Sequence, residues 1–262
     1  MTPPRDPVAL RSERHLAFFD VMFTRFFRTH MRALRVARWG MPAIPSGAPA
    51  VVFANHPSWW DGVAFMLLHR RLMHGRLLFT PMAEWALNKY GFMRRLGVFG
   101  IETGTARGTV GFLRTAERVL QDPSHVLWIN APGRFADPRE RPIPIAPGLT
   151  RLAEMAPTAH FVPLAFDYPF WSERKAEMLA AFGPPISAGD LLALDRDARA
   201  ARLAEALTAT ADRLTEDAIT RDPSRFETIV QGREGMGGIY QLWKRSLAML
   251  RGQRFDPRHD AP

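Results

Sequence analysis

Ala50-Val51-Val52-Phe53-Ala54 runs straight into Asn55-His56-Pro57-Ser58-Trp59-Trp60-Asp61, and this junction decides the fold class. Five apolar residues closed by an Asn-His-Pro break read as a short strand buried on both faces. Pro57 holds His56 in an extended conformation and suits the first turn of a helix. Asp61 to Leu72 reads as that helix. The same alternation continues downstream. Arg76 to Phe79 reads as a strand and Glu84 to Arg94 as a helix; Val98 to Ile101 and Thr109 to Leu120 form the next pair. His125 to Ile129, the helix Pro147 to Met155 and the strand His160 to Phe166 follow, with one more strand within 174–183. Apolar strands alternating with helices predict an α/β fold: a mostly parallel or mixed central sheet flanked by helices.

Upstream of the junction, a helix is expected from about His15 to Ala37. Leu16, Phe19, Phe23, Phe26 and Met31 share a face that Phe18, Met22, Phe27 and Leu34 widen, while Arg25, Arg28, Arg32 and Arg35 line another. Such a helix either lies in the headgroup region of a bilayer or packs on the core with its arginines solvated. A proline- and glycine-rich connector, Met41 to Pro49, joins it to the first strand. Beyond the α/β region, Asp197 to Thr220 reads as a solvated amphipathic helix, and Gly232 to Gly238 as a glycine-rich break. Ile239 to Leu250 reads as a last amphipathic helix that docks on the core or on lipid, near the basic residues Lys244, Arg245, Arg251, Arg254 and Arg258. The expected organisation is a basic N-terminal helix over 1–40, an α/β core over 41–190 and a helical C-terminal extension over 191–262 packed on the core.

The 262 residues carry a formal net charge of +9, and Lys89, Lys175 and Lys244 are the three lysines among 35 basic residues. Over half of that charge falls in residues 1–40. A basic chain suits nucleic acid, an anionic membrane surface or an acidic substrate, although a high-GC genome also inflates arginine. No nucleic-acid reading motif is present and the aromatics lie on amphipathic faces, so no nucleic-acid partner is expected. With no cysteine, thiol nucleophiles, disulfides, zinc–thiolate sites and iron–sulfur clusters are excluded. The eight histidines stand without partners at metal-ligand spacing, so no metal site is expected. No segment is apolar enough to span a membrane, and the N-terminus does not read as a secretory signal.

Ligands in α/β sheets bind at strand ends, which is where His56 and Asp61 fall. With Pro57 between them, His56 can fold back on Asp61 in the first helical turn. A carboxylate on an imidazole fixes its tautomer and stabilises the imidazolium, which makes a general base. The plainer reading is a helix-capping sequence. The glycine-rich nucleotide loops, the nucleophile elbow and the zinc-protease motif are all missing.

Asn55-His56-(four residues)-Asp61 after an apolar strand resembles the first motif of the glycerolipid acyltransferase superfamily, the lysophosphatidic-acid acyltransferases. Over residues 35–190 three further landmarks follow in order. Trp128-Ile129-Asn130-Ala131-Pro132-Gly133-Arg134 is similar to the strand and turn of the third motif. Pro147-Gly148-Leu149-Thr150-Arg151-Leu152-Ala153 is similar to a helix start, and Val162-Pro163-Leu164 to the last motif. The resemblance implies that His56 activates an acceptor hydroxyl for attack on an acyl thioester, carried on coenzyme A or acyl carrier protein, with Asp61 in support. No other cofactor is implied. It also implies substrate contacts at Asn55, Ser58, Gly133 and Pro163.

Two departures stand out. The second motif's phosphate-binding arginine falls on Thr103, and the third motif's glutamate falls on Pro132. Arg107 and Arg134 stand nearby as substitutes, with Arg139 and Arg141 further along the loop; each is either a phosphate ligand or a solvated loop residue. Trp59, Trp60 and Phe65 either line an acyl channel or belong to the core. The expected function is O-acyl transfer to a lysolipid or related hydroxylated lipid, at the cytoplasmic side of a membrane held by peripheral contact. The alternatives are a catalytically weakened relative that binds lipid or thioester, and a basic nucleic-acid-binding protein.

Overall fold

The computed structural model describes residues 6–233, so the helix expected at Ile239 to Leu250 and most of the glycine-rich break lie outside the described residues. The described chain forms helices α1 (Pro7–Leu10), α2 (Glu13–His30), α3 (Asp61–Leu72), α4 (Glu84–Lys89), α5 (Ala106–Leu120), α6 (Pro147–Met155), α7 (Ala188–Leu192) and α8 (Arg196–Thr220). Its strands are β1 (Ala33–Ala37), β2 (Ala50–Ala54), β3 (Leu77–Ala83), β4 (Val98–Ile101), β5 (His125–Asn130), β6 (His160–Asp167), β7 (Glu177–Phe182), β8 (Ile186–Ser187) and β9 (Phe226–Gln231).

The strands make one mixed sheet in the order β4-β3-β5-β2-β6-β7-β1-β9, with β8 on β6. From β4 to β6 all pairs are parallel, β7 runs antiparallel to β6, and β9 runs antiparallel to β1. The α/β fold expected from the alternation is therefore present. Along β2, Val51 and Phe53 enter the core under α5, α6, α7 and α8, while Ala50, Val52 and Ala54 face the core under α2 and α3. A central strand covered on both faces has no use for polar residues, which is why β2 reads as an unbroken apolar run. Because the first five strands are parallel, the loops after β2, β3, β4, β5 and β6 all emerge at one edge.

The N-terminal reading needs a correction. The first helix ends at His30 rather than Ala37, and residues 33–37 form β1, fully buried between β7 and β9. The four-arginine stripe is thereby split. Arg28 donates to the Gln231 carbonyl at 3.1 Å, and Arg32 and Arg35 are buried. Arg35 bonds Glu177 at 3.0 Å and also the Thr228 hydroxyl. A charged residue at that position mimics a helix face in sequence, because the groups that neutralise it are far along the chain. The expected helix at Glu84 to Arg94 is likewise divided, into α4 and a 3-10 turn over Gly91–Leu96. Gly97 ends that turn at φ +92°, where a Cβ would sit 2.3 Å from the Leu78 carbonyl oxygen, so glycine is required there.

Candidate active site

Ser58 builds the turn between β2 and α3. Its hydroxyl accepts from the Trp60 amide at 3.2 Å, and its own amide donates to Asp61 Oδ2 at 3.3 Å. This tight entry folds the chain back, so that His56 Nδ1 lies 2.6 Å from the same Asp61 oxygen. Asp61 is fully buried, while the His56 side chain keeps 18% of its exposure. Tyr168, just past the end of β6, donates its hydroxyl to the second carboxylate oxygen, Oδ1. Burial pushes the Asp61 carboxyl above the usual range, and the bonds from His56, Tyr168 and Ser58 pull it back. Burial beside Asp61 drives the Tyr168 phenol well above its ordinary range, so it stays a donor. Three donors aimed at one carboxyl suit its ionised form. With Nδ1–H donating to Asp61, the imidazole lone pair resides on Nε2.

One face of the imidazole is covered. Phe135, in the loop after β5, stacks on it at 4.1 Å between ring centres and 26° between planes. The loop is pinned on both sides of that ring: Ala131 N donates to Ala54 O at 2.7 Å, and Ala136 N to His56 O at 3.0 Å. Gly133 supplies the positive φ of the turn, +66°, and its amide donates to the Asn130 carbonyl at 3.1 Å. The amides of Ser58, Trp60 and Gly133 are thus already engaged within the protein.

Several expected site residues have other work. The buried Asn55 amide donates to Phe166 O at 2.9 Å and accepts from Phe166 N at 2.8 Å, extending the β2–β6 ladder as a peptide group would. Pro163 is buried inside the sheet opposite Phe53, in the gap between β7 and β8 where a missing N–H is tolerated. Phe65 packs on Trp128 and Phe166 in the core, and Trp60 lies against Phe26 of α2. Trp59 is 63% exposed.

The loop arginines have carboxylate partners: Arg134 bonds Glu140 at 2.7 Å, Arg139 bonds Asp137 at 2.8 Å and Arg141 bonds Asp212 at 2.7 Å. Arg107 is exposed in the first turn of α5, and both it and Thr103 follow β4. That strand stands three places from β2, roughly 14 Å at ordinary strand spacing. Among the described residues no three His, Asp or Glu side chains converge so as to hold a metal ion.

A buried carboxylate that orients an imidazole is the arrangement that general-base chemistry requires. A family model described as Acyltransferase matches residues 21–167. The chain belongs to this acyltransferase family. A search of the curated proteins found no match. The matched part of this acyltransferase begins within α2 and closes on Asp167, the last residue of β6, one residue short of Tyr168. The motifs in the sequence point to neither Tyr168 nor Phe135. The strand-end rule reaches Tyr168, since β6 neighbours β2 and finishes at the same edge. Phe135 directly follows Arg134, but nothing in the sequence distinguishes it from any other loop aromatic.

Proposed function

We propose that this protein is an O-acyltransferase that moves a fatty acyl group from an acyl thioester, on coenzyme A or acyl carrier protein, to the hydroxyl of a lipid acceptor. The observation that carries this reading is the Tyr168–Asp61–His56 chain in a member of the acyltransferase family. The acceptor hydroxyl attacks the thioester carbonyl carbon as His56 Nε2 takes its proton. The tetrahedral intermediate then expels the thiolate, which recovers that proton from the imidazolium. Asp61 stays ionised throughout and offsets the imidazolium charge across the 2.6 Å bond. A positioned base of this kind contributes on the order of 100- to 10,000-fold. No cofactor is required besides the thioester substrate.

The reading includes peripheral contact with a membrane on its cytoplasmic side. Phe18, Val21, Met22 and Phe26 of α2 are exposed on the side of the helix turned away from the core, which supports insertion at the level of the headgroups. Trp59, beside the dyad, is in edge contact with Phe26, so that surface leads to the site. Among the described residues no helix is long and apolar enough to cross a membrane.

The test is product formation followed by mass spectrometry, with purified protein, acyl-CoA or acyl carrier protein donors and a panel of hydroxylated lipids. A new acylated lipid, absent with His56→Ala, is the expected result. Equal product from wild type and His56→Ala would refute the mechanism.

A further inference from the structure

Whatever hydroxyl reaches His56 must pass a surface whose chemistry is uneven. The imidazole is flanked by Phe135, 60% exposed and held by the Ala131 and Ala136 backbone bonds. Arg134, next to Phe135 in sequence, has one guanidinium nitrogen on Glu140 and another on the Phe135 carbonyl. Arg139 lies bidentate on Asp137, and Arg141 is divided between Asp212 and two backbone carbonyls. The guanidinium charge of these three arginines is matched by the carboxylates of Glu140, Asp137 and Asp212. Asp167, at the end of β6 beside Tyr168, adds a further carboxyl to the same edge. The whole-chain charge of +9 therefore does not describe the surroundings of His56. A phosphate dianion near the base requires opposed guanidinium or ammonium groups, whereas an uncharged acceptor requires apolar contact beside one polar hydroxyl.

We infer that the acceptor is an uncharged lipid alcohol, seated with its apolar part against Phe135 and its hydroxyl at His56 Nε2, rather than a phosphate monoester. This rests on the acyl-transfer reading and narrows it: Phe135 selects the acceptor by an aromatic face.

The test offers the full-length protein 1-octanoylglycerol and 1-octanoylglycerol 3-phosphate in equal amounts with an acyl-CoA, in 0.3 M salt, and reads the product ratio by mass spectrometry. Product from the neutral acceptor at least ten times that from the phosphate is expected. Phe135→Ala should lower the neutral product about tenfold, and Phe135→Arg should tip the ratio towards the phosphate. A wild-type preference for the phosphate overturns the inference.

A second readout separates it from the reaction itself. In protein carbon-13 labelled at histidine, the His56 ring resonance (assigned by its loss in His56→Gln) is followed as each lipid is added. Saturable movement with the neutral lipid, absent with the phosphate, supports the inference even when no product forms, in which case the acyl-transfer reading alone fails. Movement with the phosphate alone, or with neither lipid, overturns it.

Discussion

Tyr168 and His56 grip opposite oxygens of one carboxylate: the tyrosine hydroxyl binds Asp61 Oδ1 and the imidazole Nδ1 binds Oδ2 at 2.6 Å. The carboxyl plane is thereby fixed, and with it the direction in which His56 presents Nε2. In the proposed mechanism Tyr168 is a positioning residue, since it touches His56 only through Asp61.

Tyr168→Phe should lower kcat about tenfold while leaving KM for the thioester unchanged, as expected when an oriented base loses part of its restraint. Tyr168 helps hold the Asp61 carboxyl down against burial, so its removal raises that carboxyl further. The acid limb of the rate–pH profile then moves to higher pH. A profile of unchanged shape would assign Tyr168 to packing alone.

Asp61→Asn tests the tautomer. An amide in that place can donate to Nδ1, which moves the ring proton to Nε2 and removes the base's lone pair. A loss of about 1,000-fold in kcat is expected. The substitution removes a buried charge but also the acceptor of the Ser58 amide, so the midpoint of thermal unfolding should fall by only about 2–4 °C. A large drop in that midpoint would mean that the activity loss reflects misfolding.

His69 makes stability depend on pH. It is buried, accepting from Trp128 Nε1 at 3.2 Å on Nδ1 and bonded to the Arg76 carbonyl at 2.9 Å through Nε2, an arrangement only the neutral ring satisfies. Burial lowers its pKa to about 4, below the 6.5 of an exposed histidine. The unfolded chain binds the proton first, so this contribution is complete above pH 6.5 and is lost as pH falls towards 4. It amounts to about 3 kcal/mol. Denaturant titrations at pH 7 and pH 4 should show a smaller difference between the two pH values in His69→Gln than in wild type.

Arg35→Met should destabilise the fold by about 3–5 kcal/mol, because it leaves the Glu177 carboxylate buried without its partner. Adding Glu177→Met should restore most of that loss. Chemical denaturation of the two single variants and the double variant measures the coupling, and additive losses would contradict it.

The α/β class, the elements from β2 to β6 apart from the divided helix after β3, and the His56–Asp61 pair are legible from residue order. Each depends on short-range chemistry: apolar runs that suit a covered strand, a proline that turns the chain, and two polar residues five apart across one turn. Residues 33–37 were not legible as a strand, because Arg35 is made tolerable by Glu177 and Thr228, which only the folded sheet brings beside it. β9 carries no such signal either, since Glu227 and Thr228 are exposed at its centre and its place in the sheet is defined by β1.

In the candidate site, the sequence by itself determined the His56–Asp61 pairing and the turn that joins the two residues. Tertiary structure decided the rest. It brought Tyr168 to Asp61 across 107 residues, placed Phe135 on the imidazole, gave the loop arginines to carboxylates and used Asn55 as a rung of the sheet. Those are contacts between strand ends, and strand order is set by how the layers bury their apolar faces, a long-range competition that no local spacing records.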